Sequence, residues 1–129
     1  MIDDTAGSAA EQLSALRALV ADGRGELAVI RLRRLLQGEP RSIEAQALLA
    51  STLLSLHQPE EALRSADAVV AAEPNNPEGH HLRARVLLQL GQASPALAAS
   101  EAAVDREPLV PAYHKALVRA ALRCGDLDA

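Results

Sequence analysis

The sequence predicts an all-α repeat array, in which one helix–turn–helix unit is used three times and a seventh helix closes the stack. Three observations carry this. Pro40, Pro74 and Pro108 stand 34 residues apart, each directly after a glutamate (Glu39, Glu73, Glu107). Twelve residues before each proline lies an alanine (Ala28, Ala62, Ala96), and five before those come Gly23, His57 and Gly91, with Gly125 continuing the series. A period of this length marks one supersecondary unit repeated along the chain. Within each period, apolar residues recur at three- and four-residue steps, the spacing of one helix face rather than of a strand.

The elements follow in order. Residues 1–8 are expected to be a flexible tail, and 9–129 the domain, with units 9–42, 43–76 and 77–110 and a partial fourth unit or capping helix over 111–129. The first unit predicts helices over 9–22 and 25–37. In 43–56 the helical face is Ala47, Leu49, Ala50, Leu53 and Leu54; in 59–72 it is Ala62, Leu63, Ala66, Val69 and Val70. His57-Gln58-Pro59 makes the turn between them, with Pro59 where a first helical turn tolerates it. Pro74 blocks continuation and Asn75-Asn76 suits a turn. Helices over 77–90 and 93–106 repeat the pattern. The seventh, 111–123, opens at Pro111 and is expected to stop at Gly125. The ending Gly125-Asp126-Leu127-Asp128-Ala129 reads like the turn into a further helix, so the chain is expected to be part of a longer protein. Leu117, Val118, Ala121 and Leu122 keep the apolar pattern of an internal helix, which predicts self-association through this C-terminal helix or a gain in stability when it is extended by a further helix.

Composition narrows the function. The chain of 129 residues is one domain's worth. No apolar run is long enough to cross a bilayer. The start, Met-Ile-Asp-Asp, lacks the basic segment of a secretory signal, so a cytoplasmic setting is expected. A net charge of −4 and a pI near 5.5 argue against nucleic acid and anionic membrane as partners. One cysteine, Cys124, has no thiol to pair with. With one tyrosine and no Trp or Phe, the core is expected to be thin and built from Leu, Val and Ala.

On these residues the chain resembles the tetratricopeptide repeat family, whose 34-residue pattern is W-x2-L-G-x2-Y, then A-x3-F, then P. Pro40, Pro74 and Pro108 match the closing proline, and Ala28, Ala62 and Ala96 the small residue of the second helix. Ala50 and Ala84 take the small position of the first helix, with Leu16 and Val118 in the outer units. The aromatic positions are lost: Leu19, Leu53 and Leu87 replace the tyrosine, and Leu32, Ala66 and Ser100 the phenylalanine. Gln12, Gln46, His80 and His114 replace the tryptophan, and Arg83 the third unit's leucine. The resemblance covers residues 9–129 and implies a right-handed superhelical stack. The short side chains let helices approach to roughly 8–10 Å.

The resemblance also implies a groove. In the family the first helix of each unit lines a concave face where partners dock, which puts Arg17, Ser51, His81, Arg85, Leu88, Gln89, Lys115, Arg119, Leu122 and Arg123 on that face here. Leu13, Val20, Ala21, Ala47, Leu54 and Ser55 share it. Arg17, Arg85 and Arg119 occupy equivalent places with Ser51 as the gap, so the inner face of an acidic chain is basic. Guanidinium forks suit carboxylates; on a merely solvated face the same cations would pair with Glu78 or water. The clamp that grips chaperone tails needs Lys, Asn and Arg where this chain has Leu13, Arg17, Leu48, Glu78 and Leu82. One unit later the places hold Ala47, Ser51, Leu82, Ala112 and Ala116, so a chaperone-tail adaptor is not expected.

His80, His81 and His114 do not make a metal site, because neighbouring helical side chains diverge by about 100° and two imidazoles alone are a poor ligand set. His80 and His114 are expected as half-buried packing residues, and Cys124 as a small apolar one. No catalytic constellation appears, and no cofactor is implied. The expected function is a non-enzymatic scaffold presenting a concave, locally basic groove to a peptide or acidic segment of a partner protein. The alternative is a regulatory or substrate-docking portion of a larger enzyme.

Overall fold

The computed structural model describes residues 8–128, with side chains through Gly125. Seven helices follow one another: α1 (Ala9–Ala21), α2 (Gly25–Gly38), α3 (Ile43–Ser55), α4 (Pro59–Ala72), α5 (Pro77–Gln89), α6 (Ala93–Arg106) and α7 (Pro111–Asp128). The described residues contain no strand. The period survives to the residue, since the starts of α1, α3, α5 and α7, and those of α2, α4 and α6, are each 34 apart.

Local chemistry explains the starts. Ser8, expected within the tail, is instead the N-cap of α1: its hydroxyl accepts the Glu11 N–H at 3.1 Å and the Glu11 carboxylate accepts the Ser8 N–H at 3.0 Å. This reciprocal box satisfies two backbone donors that a helix start otherwise leaves unpaired. The remaining residues of the expected tail, 1–7, lie outside the described residues. Ser42 caps α3 through Ala45 N–H and Asn76 caps α5 through Glu78 N–H.

The turns repeat as faithfully. Gly23, His57 and Gly91 all adopt positive φ, at 82°, 60° and 79°. At each, two backbone bonds close the helix end: Gly23 to Val20 and Arg24 to Leu19, His57 to Leu54 and Gln58 to Leu53, Gly91 to Leu88 and Gln92 to Leu87. That is the left-handed closure for which glycine is the natural residue, and His57 adopts it at a conformational cost.

Gly125 departs from the series. The expected stop does not occur: α7 continues through Gly125 to Asp128. The first three closures each lead into a second helix that packs back on the first.

Packing follows the small residues. Ala28, Ala62, Ala96, Ala50 and Ala84 are fully buried at helix crossings. Gly79 marks the tightest approach, since a Cβ there would stand 2.9 Å from Val69 Cγ1. Leucines fill the remaining space, Leu13, Leu16, Leu32, Leu49 and Leu53 toward one end and Leu87 and Leu88 toward the other. Arg83, at a leucine position, is held by Asp67 of α4 at 2.7 Å.

Each helix packs on the next, and α1 with α3, α3 with α5 and α5 with α7 also touch. The first helices therefore form a continuous inner row. The second helices stand outside it, with Arg33 of α2 paired to Glu61 of α4. Among the described residues no helix is long and apolar enough to cross a membrane.

Candidate functional site

Toward the C-terminal ends of α3 and α5, the inner row opens into a cleft of about 410 Å³. Its lining is Leu54 and Ser55 from α3, Arg85, Leu88 and Gln89 from α5, and Arg119 and Arg123 from α7. The repeat explains the grouping. Arg85 and Arg119 share one register, Leu54 and Leu88 another, and Ser55, Gln89 and Arg123 a third, each one period apart. Leu54 and Leu88 are 6% exposed and form an apolar floor. Gln89 is fixed to it by donating from Nε2 to the Leu54 carbonyl at 3.3 Å.

Of the ten sequence-predicted residues, the structure brings five into this cleft: Arg85, Leu88, Gln89, Arg119 and Arg123. Arg17, Ser51, His81, Lys115 and Leu122 do not line it. Ser51 turns its hydroxyl to the Leu48 carbonyl at 3.2 Å. Leu122, expected as apolar groove contact, is 65% exposed. The cleft takes the side of α7 that faces back along the row, whereas Leu122 lies on the side where a further helix would stand.

The charge is one-sided. Among the described residues, three arginines and no carboxylate line the cleft. Among the described residues none of the three makes an ion pair, whereas Arg33 and Arg83 are paired and Arg106 donates to the carbonyls of Pro74 and Ala102. Arg119 and Arg123 are four apart on one helix, an arrangement that costs an isolated helix roughly 0.2–0.5 kcal/mol. Helix stability does not account for it. Glu78, considered above as a counter-ion for these cations, instead accepts from the Tyr113 hydroxyl at 3.4 Å.

Beside the cleft, His81 packs on Tyr113 of α7 with ring centroids 4.8 Å apart. Its Nδ1 is buried without a hydrogen-bond partner. Burial, and then the positive charge of Arg85, lower the His81 pKa to about 4, so the ring is neutral near pH 7. Burial foremost, then Glu78 and Glu107, raise the Tyr113 hydroxyl above its ordinary value. This ring pair joins α5 to α7. Tyr113 carried no signal in the sequence, because its repeat equivalents are Ala45 and Gly79.

His80 and His114 take a different part from simple packing. His80 Nε2 bonds the Pro74 carbonyl at 2.7 Å, and His114 Nε2 bonds that of Pro108. Each carries its proton on Nε2 to do so and pins the linker that enters its own helix. His114 is exposed, and His80 half-buried. Cys124 is half-buried. Among the described residues no three His, Cys, Asp or Glu side chains group as a metal site.

The chain matches the family described as Tetratricopeptide repeat over residues 19–86. No curated protein matches it. Among solved structures it is similar to MamA 41-end from Desulfovibrio magneticus RS-1, with a TM-score of 0.82 and 27% identity over 89% of this chain. It spans 65% of that MamA chain. The first TPR domain of human RPAP3 superposes with a TM-score of 0.85 at 14% identity, over 89% of this chain and 91% of that one. The second, solved in complex with the HSP70 peptide SGPTIEEVD, gives 0.80 at 16%, over 85% and 92%. At such identities the RPAP3 likeness is one of fold.

Proposed function

The chain belongs to the tetratricopeptide repeat family, and from that premise we propose that it is a protein-interaction module whose inner row receives an acidic segment of a partner. The observation that carries this is the cleft itself, with three guanidinium groups that make no ion pair among the described residues, over a floor of Leu54 and Leu88. An apolar floor beside concentrated positive charge suits an extended segment that alternates apolar and acidic side chains. A structural neighbour of the same fold, the second RPAP3 domain, was solved with a peptide carrying two glutamates and an aspartate. Here the chaperone-clamp positions are replaced, so the proposed anchor is Arg85, Arg119 and Arg123 instead. A cytoplasmic setting belongs to the same reading.

The test is capture of partners with the intact chain, then measurement of affinity against salt. Affinity should fall as salt rises, because exposed charges are screened over about 8 Å at physiological ionic strength. Arg85→Glu with Arg119→Glu should abolish binding while helix content and melting temperature hold. An unchanged affinity in that variant would show the arginines to be a solvated surface.

A second contact surface is favoured by its own observation. Val118 is 57% and Leu122 65% exposed, and with Ala121 they form an uncovered stripe on α7. We propose self-association through it. Sedimentation should give a mass that rises above 13.6 kDa with concentration, and Leu122→Lys should return the monomer. A strictly monomeric wild-type chain contradicts this.

A further inference from the structure

The basic cleft carries more positive charge, in a more directional form, than one carboxylate can use. Among the described residues, three guanidinium groups from two helices line one opening with no carboxylate beside them. A carboxylate has two oxygens and one negative charge, so a single two-bond fork with one arginine engages both oxygens and neutralises it. A phosphoryl group has three terminal oxygens and about −1.5 to −2 charge at neutral pH, which three forks can share. Volume agrees with this. About 410 Å³ lies within the roughly 300–1,000 Å³ of small-ligand sites, leaving room for a phosphorylated side chain and the neighbours that would lie on Leu54 and Leu88.

We propose that Arg85, Arg119 and Arg123 form a phosphoryl subsite, so that the partner segment is recognised when a serine or threonine on it is phosphorylated. The inference rests on the groove reading above and adds the chemical state of the ligand. Among phosphate-bearing macromolecules a phosphopeptide is favoured over nucleic acid, for two reasons. The chain as a whole carries −4, which repels a long polyanion, and the floor is aliphatic where bases would call for stacking rings. The chain's one aromatic residue besides histidine, Tyr113, is buried. Gln89 adds selectivity: one amide N–H is engaged with Leu54, and the second remains available to an oxygen acceptor.

The experiment is calorimetry with blocked pentapeptides Gly-Leu-X-Leu-Gly in which X is phosphoserine, glutamate or serine, on the whole chain. The phosphoserine peptide should bind at least about tenfold more tightly than the glutamate peptide, with serine weakest. The variant Arg85→Lys with Arg119→Lys keeps the charge and loses the forks. It should lose about tenfold for phosphoserine and much less for glutamate, with an unchanged melting curve. Equal affinity of the phosphoserine and glutamate peptides, both lost on charge reversal, would leave the groove reading standing and overturn the phosphoryl subsite. Failure of every peptide to bind, or binding indifferent to charge reversal, would overturn both. A short thymidine oligonucleotide that binds more tightly than the phosphopeptide and displaces it would assign the cleft to nucleic acid and overturn the proposal.

Discussion

Helices α5 and α7 are built on one pattern and meet different surroundings. On α5, the stripe Ala84, Leu87 and Leu88 is buried, at 0%, 2% and 6% exposure. On α7, the equivalent stripe Val118, Ala121 and Leu122 is exposed. Both helices also present arginines to the cleft between them. The comparison separates two uses of a helix surface in a repeat array. The register decides which residues face along the stack, and the presence of a neighbour decides whether that face is core or exposed surface. On α7 the buried, basic and apolar residues occupy three separate faces, so this one helix serves the core, the cleft and the outer surface together.

Substitutions at equivalent places should tell the two surroundings apart. Leu88→Ala should cost about 2–5 kcal/mol, because it removes a buried side chain and leaves a cavity. Leu122→Ala in the monomer should stay within about 0.5 kcal/mol. Denaturant melts of both variants check this, and equal losses would mean that the two stripes are equally covered. At the small position, Ala84→Val should overpack the crossing at a cost of about 1–3 kcal/mol, while Val118→Ala should be nearly neutral.

The α5–α7 junction can be probed by pH. His81 is neutral in the fold, with its pKa lowered from 6.5 to about 4. Below pH 6.5 the unfolded chain takes up a proton that the folded chain refuses, so this contribution is full above 6.5 and is lost as pH falls toward 4. Stability should decline across that window, and His81→Gln should flatten the decline. An unaltered slope in the variant would place the titration elsewhere.

A smaller effect is expected at the turns. His57 holds the left-handed backbone that Gly23 and Gly91 adopt without a side chain. His57→Gly should therefore gain about 0.5–1 kcal/mol, the relief of a strained residue less the added freedom of the unfolded chain. A loss on melting would mean that the imidazole makes a compensating contact.

Most of the fold was legible because a repeat tests itself: Pro40, Pro74 and Pro108 set the frame, and the shared place of Gly23, His57 and Gly91 marks one turn geometry. Gly125 misled because a helix interior tolerates glycine at a cost of about 1 kcal/mol relative to alanine, so its place in the series does not force a stop. Within the cleft, Arg85 and Arg119 were legible from register. The exclusion of Leu122 was not, because register alone does not say which flank of α7 faces the row. His80 and His114 reach carbonyls across a linker, and the Tyr113–His81 contact joins two helices. The first contact does repeat, since His80 and His114, like Pro74 and Pro108, stand 34 residues apart, but the repeat does not name the acceptor; the second has no repeat equivalent.

The central claim is that the cleft between α5 and α7 receives the partner. Its most direct test is an NMR titration of the labelled chain with a captured partner segment, following arginine side-chain N–H and leucine methyl signals. The largest changes should fall on Arg85, Arg119, Arg123, Leu54 and Leu88, with Arg31 and Arg34 of the outer row unmoved. Changes confined to the outer row, or spread evenly over exposed arginines, would contradict the account.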